Sequence, residues 1–321
     1  MSTPRKHHYL PQFYLDGFKV EPQKGKNAHI WQIEKGNPRV NYSPAIEDTG
    51  CIRDFHTIDF HDEEPDHASV EKMLSDLESE QSALLREIVC NENIVASQIE
   101  SLAIFIALMR YRVPSFAEHV EESLCNVVRD SFKIMYQAGK FGDPPPELKT
   151  LIESKGIDEA IQFKISNWKV LGQMFSVGLA PESIGPLTDY KFHLYLANGK
   201  NYFITSDNPV ALFHPEYEKI RPYGVGLAIA GTELTFPLTS KVLVRAGRDI
   251  KPGTSSASEA EIEEFNRRSI IMGERYIYAS SVSPSLVETI ATHNQMRAGF
   301  VFDNLLYGDG SVHISRFIPV Q

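Results

Sequence analysis

"KFHLYLANGKNYFITSD", Lys191–Asp207, is the stretch on which the fold reading turns. Two apolar runs rich in aromatic and branched residues flank Asn198-Gly199, the dipeptide that suits the positive φ angles of a two-residue type I′ turn. The spacing predicts a β-hairpin in which Leu194 faces Phe203 and Tyr195 faces Tyr202. Both faces are largely apolar, so the hairpin is expected inside a sheet and not at its edge. Downstream, "ELTFPLT", "KVLVRAG" and "RYIYASS" read as further strands, "GVGLAIAG" as another, and "SEAEIEEFNRRSIIMG" and "PSLVETIATHN" as helices.

Upstream, residues 66–180 carry helical spacing. "DHASVEKMLSDLESEQSALLREIVC" repeats its apolar residues every three to four positions, with Ser69 as a candidate N-cap. "ASQIESLAIFIALMRYRV" is apolar nearly all round, which marks a buried central helix. Pro114 ends it and Ser115 can cap "SFAEHVEESLCNVVRDSFKIMYQAG". A helix start follows "GDPPP", and one long helix is expected over about Asp158–Leu179. Residues 1–65 read as short strands and turns, with a hairpin around Gly36-Asn37-Pro38 and a strand in "DFHTIDF". The expected architecture is α+β in one domain, 1–321: a central helical layer on a largely antiparallel sheet, with an N-terminal hairpin region.

Composition narrows the function classes. A formal net charge of -10 over 321 residues argues against an extended nucleic-acid surface, which needs a basic face. Cys51, Cys90 and Cys125 are far apart and form no CxxC pair, so neither a zinc knuckle nor a disulfide framework is expected. They fit small buried side chains in a reducing, cytoplasmic setting. The longest apolar run, "LAIFIALM", is far below the ~20 residues of a membrane span.

Candidate chemistry lies in four places. "KHHYLPQFYLDGF", Lys6–Phe18, combines His7, His8 and Gln12 with Tyr9, Phe13, Tyr14 and Phe18. Adjacent residues of an extended segment point to opposite faces, so His7 and His8 should not share one metal ion. The stretch reads as an aromatic plug that carries one working histidine. In "TSDNPV", Asp207 and Asn208 stand where a strand ends, a common station for a catalytic carboxylate, with an Asx turn as the alternative. Arg110 and Arg112 in "RYRVP" end the buried helix, where a cation either meets the helix dipole or forks onto a carboxylate or phosphate. "HDEEPDH", His61–His67, offers metal-type residues, but Asp66 or Ser69 more simply caps the next helix. Ser166-Asn167-Trp168-Lys169, Ser206-Asp207-Asn208 and Lys251-Pro252-Gly253 mimic penicillin-recognising serine enzymes, yet Pro252 replaces the required hydroxyl residue. No Walker loop, GxGxxG or GxSxG is present.

Taken together, these motifs resemble a mostly bacterial domain-of-unknown-function family that opens with an HHYxPxFYLxxF signature. "CIRDFHTID", an acidic helix with Glu71 and Glu80, "RVP" and "FITSDNPV" continue the resemblance in order. Asp16 stands where that family usually has a basic residue, and His56 where it usually has tyrosine. The resemblance implies a fold unit without an established activity, and a convergence of His8, Gln12, Arg112, Asp207 and Asn208.

Two functions are therefore expected in competition. One is a hydrolase acting on a phosphodiester or other phosphorylated substrate. In it His8 is base or metal ligand, Asp207 metal ligand or acid/base partner, and Arg112 phosphate clamp, around an unidentified cofactor such as a divalent metal. His7, Gln12, Asn208 and Arg110 would bind the ligand. The other is a non-enzymatic module that recognises a small molecule or partner through the same pocket. A third reading makes all these residues structural.

Overall fold

The computed structural model describes residues 5–20, 28–60, 64–307 and 310–321. The N-terminal part holds β1 (Lys6–His8), α1 (Gln12–Leu15), β2 (Trp31–Glu34), β3 (Asn41–Tyr42) and β4 (Cys51–Arg53). The helical part follows: α2 (Ser69–Asn91), α3 (Ile99–Tyr111), α4 (Pro114–Gln137), α5 (Pro146–Lys155), α6 (Ile157–Ala160), α7 (Asn167–Gly178) and α8 (Pro181–Thr188). Last come β5 (Lys191–Leu196), β6 (Thr205–Ser206), β7 (Ala211–Phe213), α9 (Tyr217–Ile220), β8 (Glu233–Pro237), β9 (Val242–Gly247) and β10 (Gly253–Ser256). The chain closes with α10 (Glu259–Met272), β11 (Tyr276–Ala279), α11 (Pro284–His293), β12 (Gly299–Tyr307) and β13 (Gly310–Ile318).

This is an α+β fold with 46% helix and 20% strand. A five-stranded sheet runs β10-β5-β9-β8-β7, and a four-stranded sheet runs β3-β2-β11-β6. All their ladders are antiparallel except β10 on β5. Two ribbons, β1-β4 and β12-β13, complete the set. The main core joins α3, with Phe105, Ile106 and Met109, to the sheet residues Leu234, Phe236 and Val244. No described helix is long and apolar enough to cross a membrane.

The expected Lys191–Asp207 hairpin does not form. Leu194 pairs with Val244 and Tyr195 with Leu243, while Thr205 and Ser206 join β11 in the other sheet. The segment between them is a crossover, with the Phe203 amide bonded to the Ser240 carbonyl at 2.8 Å. Gly199 does adopt φ +62, but Asn198 is not among the positive-φ residues. A type I′ turn needs both, so the two strands leave the bend without pairing. β5 is nonetheless interior, between β10 and β9, as its two apolar faces require.

Other boundaries also shift. The long helix expected over 158–179 breaks into α6 and α7 around an extended Ile161–Ser166. "GVGLAIAG" is turn and bend, and "DFHTIDF" contributes only the isolated bridge Ile58–Asp66. Pro114 is the first residue of α4, where its missing N–H costs nothing. Asp66, not Ser69, caps α2: its Oδ1 accepts from the amides of Ala68 and Ser69 at 2.8 and 3.0 Å. The rest of "HDEEPDH" lies partly outside the described residues, at 61–63. The Gly36-Asn37-Pro38 hairpin forms as β2–β3. Cys90 is exposed, and Cys51 and Cys125 half-buried, so none is the fully buried small residue expected.

The N-terminal stretch is pinned as an aromatic plug. Tyr14 is fully buried, stacks on Phe236 at 5.4 Å, and donates to the Pro237 carbonyl at 2.9 Å. Phe18 is equally buried, and the amides of Tyr9 and Leu10 both donate to the Gly50 carbonyl. Gly50 has φ +63, and a Cβ there would meet Leu10 Cβ at 2.9 Å, so this close approach requires glycine.

Candidate functional site

The structure sorts the sequence-predicted residues into three places. His8 and Gln12 line an open cleft of about 420 Å³ with Phe13, Glu71, Leu74, Ser75, Glu78 and Ser79. The His8 Nε2 lies 3.2 Å from the Glu47 carbonyl and 3.4 Å from Gln12 Nε2. Burial pushes its pKa below the ordinary histidine value. Arg112 sits behind this cleft, 3% exposed. Its Nη1 donates to Glu78 Oε1 at 2.8 Å and its Nη2 to the His8 carbonyl at 2.7 Å. The guanidinium therefore ties the plug, α2 and the end of α3 together, and its charge already has a carboxylate.

His7 points the other way, as the strand geometry requires, and is wholly buried. Its Nδ1 accepts the His56 amide at 2.8 Å, and the two imidazoles stack with centroids 5.7 Å apart. His56 Nδ1 meets Glu71 Oε1 at 2.5 Å, while His56 Nε2 is buried without a partner. Ligand-type atoms of His7, His56 and Glu71 lie within 4.8 Å of one another. In the neutral tautomer this network implies, His7 carries its proton on Nε2 and accepts on Nδ1. A metal-ligating histidine ordinarily donates from its second nitrogen, as His56 can to Glu71, whereas His7 accepts on its Nδ1. As arranged, the trio is a hydrogen-bonded stack in which Glu71 orients His56.

Asp207 does not line the His8 cleft, so the two do not form the metal pair considered from sequence. It is 7% exposed, and both oxygens are occupied by backbone. Oδ1 accepts from the Glu274 amide at 2.8 Å, and Oδ2 from the Arg275 and Tyr276 amides at 2.9 and 3.0 Å. Burial pushes its carboxyl up, against the three N–H groups that favour the ionised form. Asp207 thus shapes the turn into β11 and fixes the backbone of Glu274. Lys35 does similar work nearby. Fully buried, it gives Nζ to the carbonyls of Ile271, Gly273 and Met296, and burial lowers its pKa to about 7.

Arg110 and Asn208 do converge. They share a pocket of about 220 Å³ at the start of α4, closed by the β12–β13 ribbon. Arg110 is 5% exposed and Asn208 3%. The Arg110 guanidinium lies over the Phe317 ring at 4.4 Å and near Phe300 at 5.5 Å. Its Nε and Nη1 have no hydrogen-bond partner, and no carboxylate pairs with it among the described residues. It acts instead on its neighbour. Burial would raise the Tyr111 hydroxyl, but the charge of Arg110 beside it helps hold it below the ordinary value. Asn208 Nδ2 donates to Ser115 Oγ at 3.2 Å, and its buried Oδ1 has no partner.

The remaining polar wall is supplied by Glu118, His119, Glu122 and Glu274. His119 stacks on Phe300 and Phe302 at 4.6 and 4.4 Å, and its Nε2 lies 2.9 Å from Ser315 Oγ. Burial pushes His119 below the ordinary imidazole value. Glu274 moves in the opposite sense: burial raises it, and the charges of Asp207 and Glu118 add to the rise. The pocket therefore combines a buried guanidinium, an imidazole biased neutral and a carboxyl biased toward its protonated form.

Sequence reasoning missed His119 and Glu274 at this site. His119 is one turn beyond Ser115 on the same face of α4, directly after the "RVP" motif, and that spacing is a readable signal. Glu274 offered none, because only the turn held by Asp207 brings it to α4. The ribbon beside the pocket falls in the part, 181–321, whose sequence reads as mainly strand, and "GFVFDNLLYGDGSVHISRFI" alternates around glycines as a hairpin does. Among known proteins, no curated protein and no solved structure matches this chain. The chain does belong to the protein family of unknown function DUF4238, whose family model matches residues 6–283.

Proposed function

We propose that this DUF4238 chain is a small-molecule binding protein whose ligand is anchored, as an anion, on Arg110. One observation carries the reading: a guanidinium 5% exposed, with no carboxylate partner among the described residues and two unpartnered nitrogens, stands on the wall of a pocket. A buried guanidinium that makes no ion pair is costly, and an arriving carboxylate or phosphate relieves that cost through the geometry arginine favours. Arg112 is the contrasting case, since Glu78 already neutralises it. The test is thermal denaturation of wild type and Arg110→Lys with carboxylates (acetate and the common L-amino acids) and phosphates (inorganic phosphate and glycerol phosphate). Stabilisation of wild type by at least one anion, lost in the variant, supports the reading. The absence of any Arg110-dependent stabilisation at millimolar concentrations refutes it.

A hydrolase of phosphorylated substrates is the second reading, and the opposed shifts of His119 and Glu274 favour it. Titratable groups whose environments push them apart can divide the roles of base and acid. In that scheme Arg110 clamps the phosphoryl group, His119 takes a proton and Glu274 gives one. The work first assigned to Arg112, His8 and Asp207 passes to these residues, with Asp207 positioning Glu274. Turnover of a phosphodiester or phosphomonoester panel, abolished by His119→Asn with binding retained, would establish it.

A further inference from the structure

We infer that the ligand of the Arg110 pocket is a small zwitterion of the amino-acid class. Its carboxylate would meet Arg110 and its ammonium group would face Glu274 and the Glu118–Glu122 pair. This rests on the reading of the pocket as an anion site and names the kind of anion.

Charge balance comes first. Arg110 shares the pocket with three glutamates, of which Glu274 already has Arg297 at 4.0 Å, leaving Glu118 and Glu122 without a paired cation among the described residues. Glu118 and Glu122 stand one helical turn apart on α4, exposed at the mouth, while Glu274 is half-buried. A phosphate ester would add up to two negative charges beside these carboxylates, and like charges at close range repel strongly where water is scarce. A ligand with one negative and one positive group complements both walls at once.

Hydrogen-bonding capacity agrees. Asn208 Nδ2 donates to Ser115 Oγ at 3.2 Å, and its buried Oδ1 has no donor. A phosphate group at neutral pH offers few donors. An ammonium group offers three, enough for an amide oxygen and a carboxylate together.

Size sets the upper limit. At about 220 Å³ the pocket is smaller than the roughly 300–1,000 Å³ typical of drug-sized ligands, which disfavours a nucleotide. Phe116, Phe300 and Phe317 supply the apolar part of the wall for a short side chain.

Isothermal titration of the full chain at neutral pH tests the inference. The titrants are the twenty common L-amino acids, β-alanine and γ-aminobutyrate, each hit then being compared with the same carboxylate lacking its amino group. Acetate, inorganic phosphate and glycerol phosphate run alongside. At least one amino acid should bind, its des-amino counterpart at least tenfold more weakly. Arg110→Lys and Glu274→Gln should each weaken it at least tenfold. Glu122→Gln, at the exposed mouth where packing is undisturbed, should weaken it several-fold. If phosphate or a plain carboxylate binds through Arg110 while no amino acid does, the zwitterion is overturned and the anion site stands. If no titrant shows Arg110-dependent binding, both fall.

Discussion

Asp207→Asn asks whether this carboxylate is chemical or architectural. The carboxylate accepts three backbone N–H bonds, one on Oδ1 and two on Oδ2. The best placement of an asparagine amide keeps its oxygen where two donors converge and turns its NH₂ toward the Glu274 amide. That leaves one buried N–H facing another donor, a loss of about 1–3 kcal/mol, and removes the charge assistance from the two remaining bonds. A total of about 3 kcal/mol is expected. For a chain of this size each kcal/mol lowers the thermal midpoint by about 2 °C, so the variant should melt about 6 °C below wild type. Thermal unfolding followed by circular dichroism, with urea denaturation as a cross-check, reads this directly. An unchanged or raised midpoint would refute the architectural role, because a residue held against its own hydration for chemistry is the kind whose replacement stabilises.

Two further outcomes follow from the same geometry. Arg112→Met strips a buried cation from Glu78 and the His8 carbonyl, and should cost about 3–5 kcal/mol. In a double-mutant cycle with Glu78→Gln the losses should fall short of additive by about 1 kcal/mol or more, and strict additivity would sink the pair. His119 gives a pH dependence. Its folded pKa is lowered by burial, so the unfolded chain binds the proton more readily. Its contribution is complete above the ordinary value of about 6.5 and is lost as pH falls through the lower folded value. His119→Asn should therefore show a smaller drop in thermal midpoint between about pH 7.5 and 5.5 than wild type. His8 and His56, lowered the same way, keep the remainder of the slope. An equal drop in both proteins would remove His119 from this account.

Local signals in the sequence determined a good deal. The apolar periodicity of α2, α3, α4 and α10, the strands β5, β8, β9 and β11, and the Tyr14–Phe18 plug follow from side-chain spacing alone. Arg110 and Asn208 were recognisable because each stands beside the candidate residue of a motif, Arg112 in "RYRVP" and Asp207 in "TSDNPV". Tertiary structure decided what spacing cannot express, namely which partner an element takes. β5 was read correctly as an interior strand, yet its neighbours are β9 and β10 and not the next segment in sequence. Two apolar faces demand company without saying whose. Likewise Arg110 and Arg112, two residues apart, look equivalent on paper. A turn of about 200° around the helix aims one at Glu78 and the other at Phe317 beside a pocket. Asp207 looked like the catalytic member of its motif until the fold spent its oxygens on three amides. Which polar groups remain unsatisfied is a property of the packed molecule, beyond what residue spacing can express.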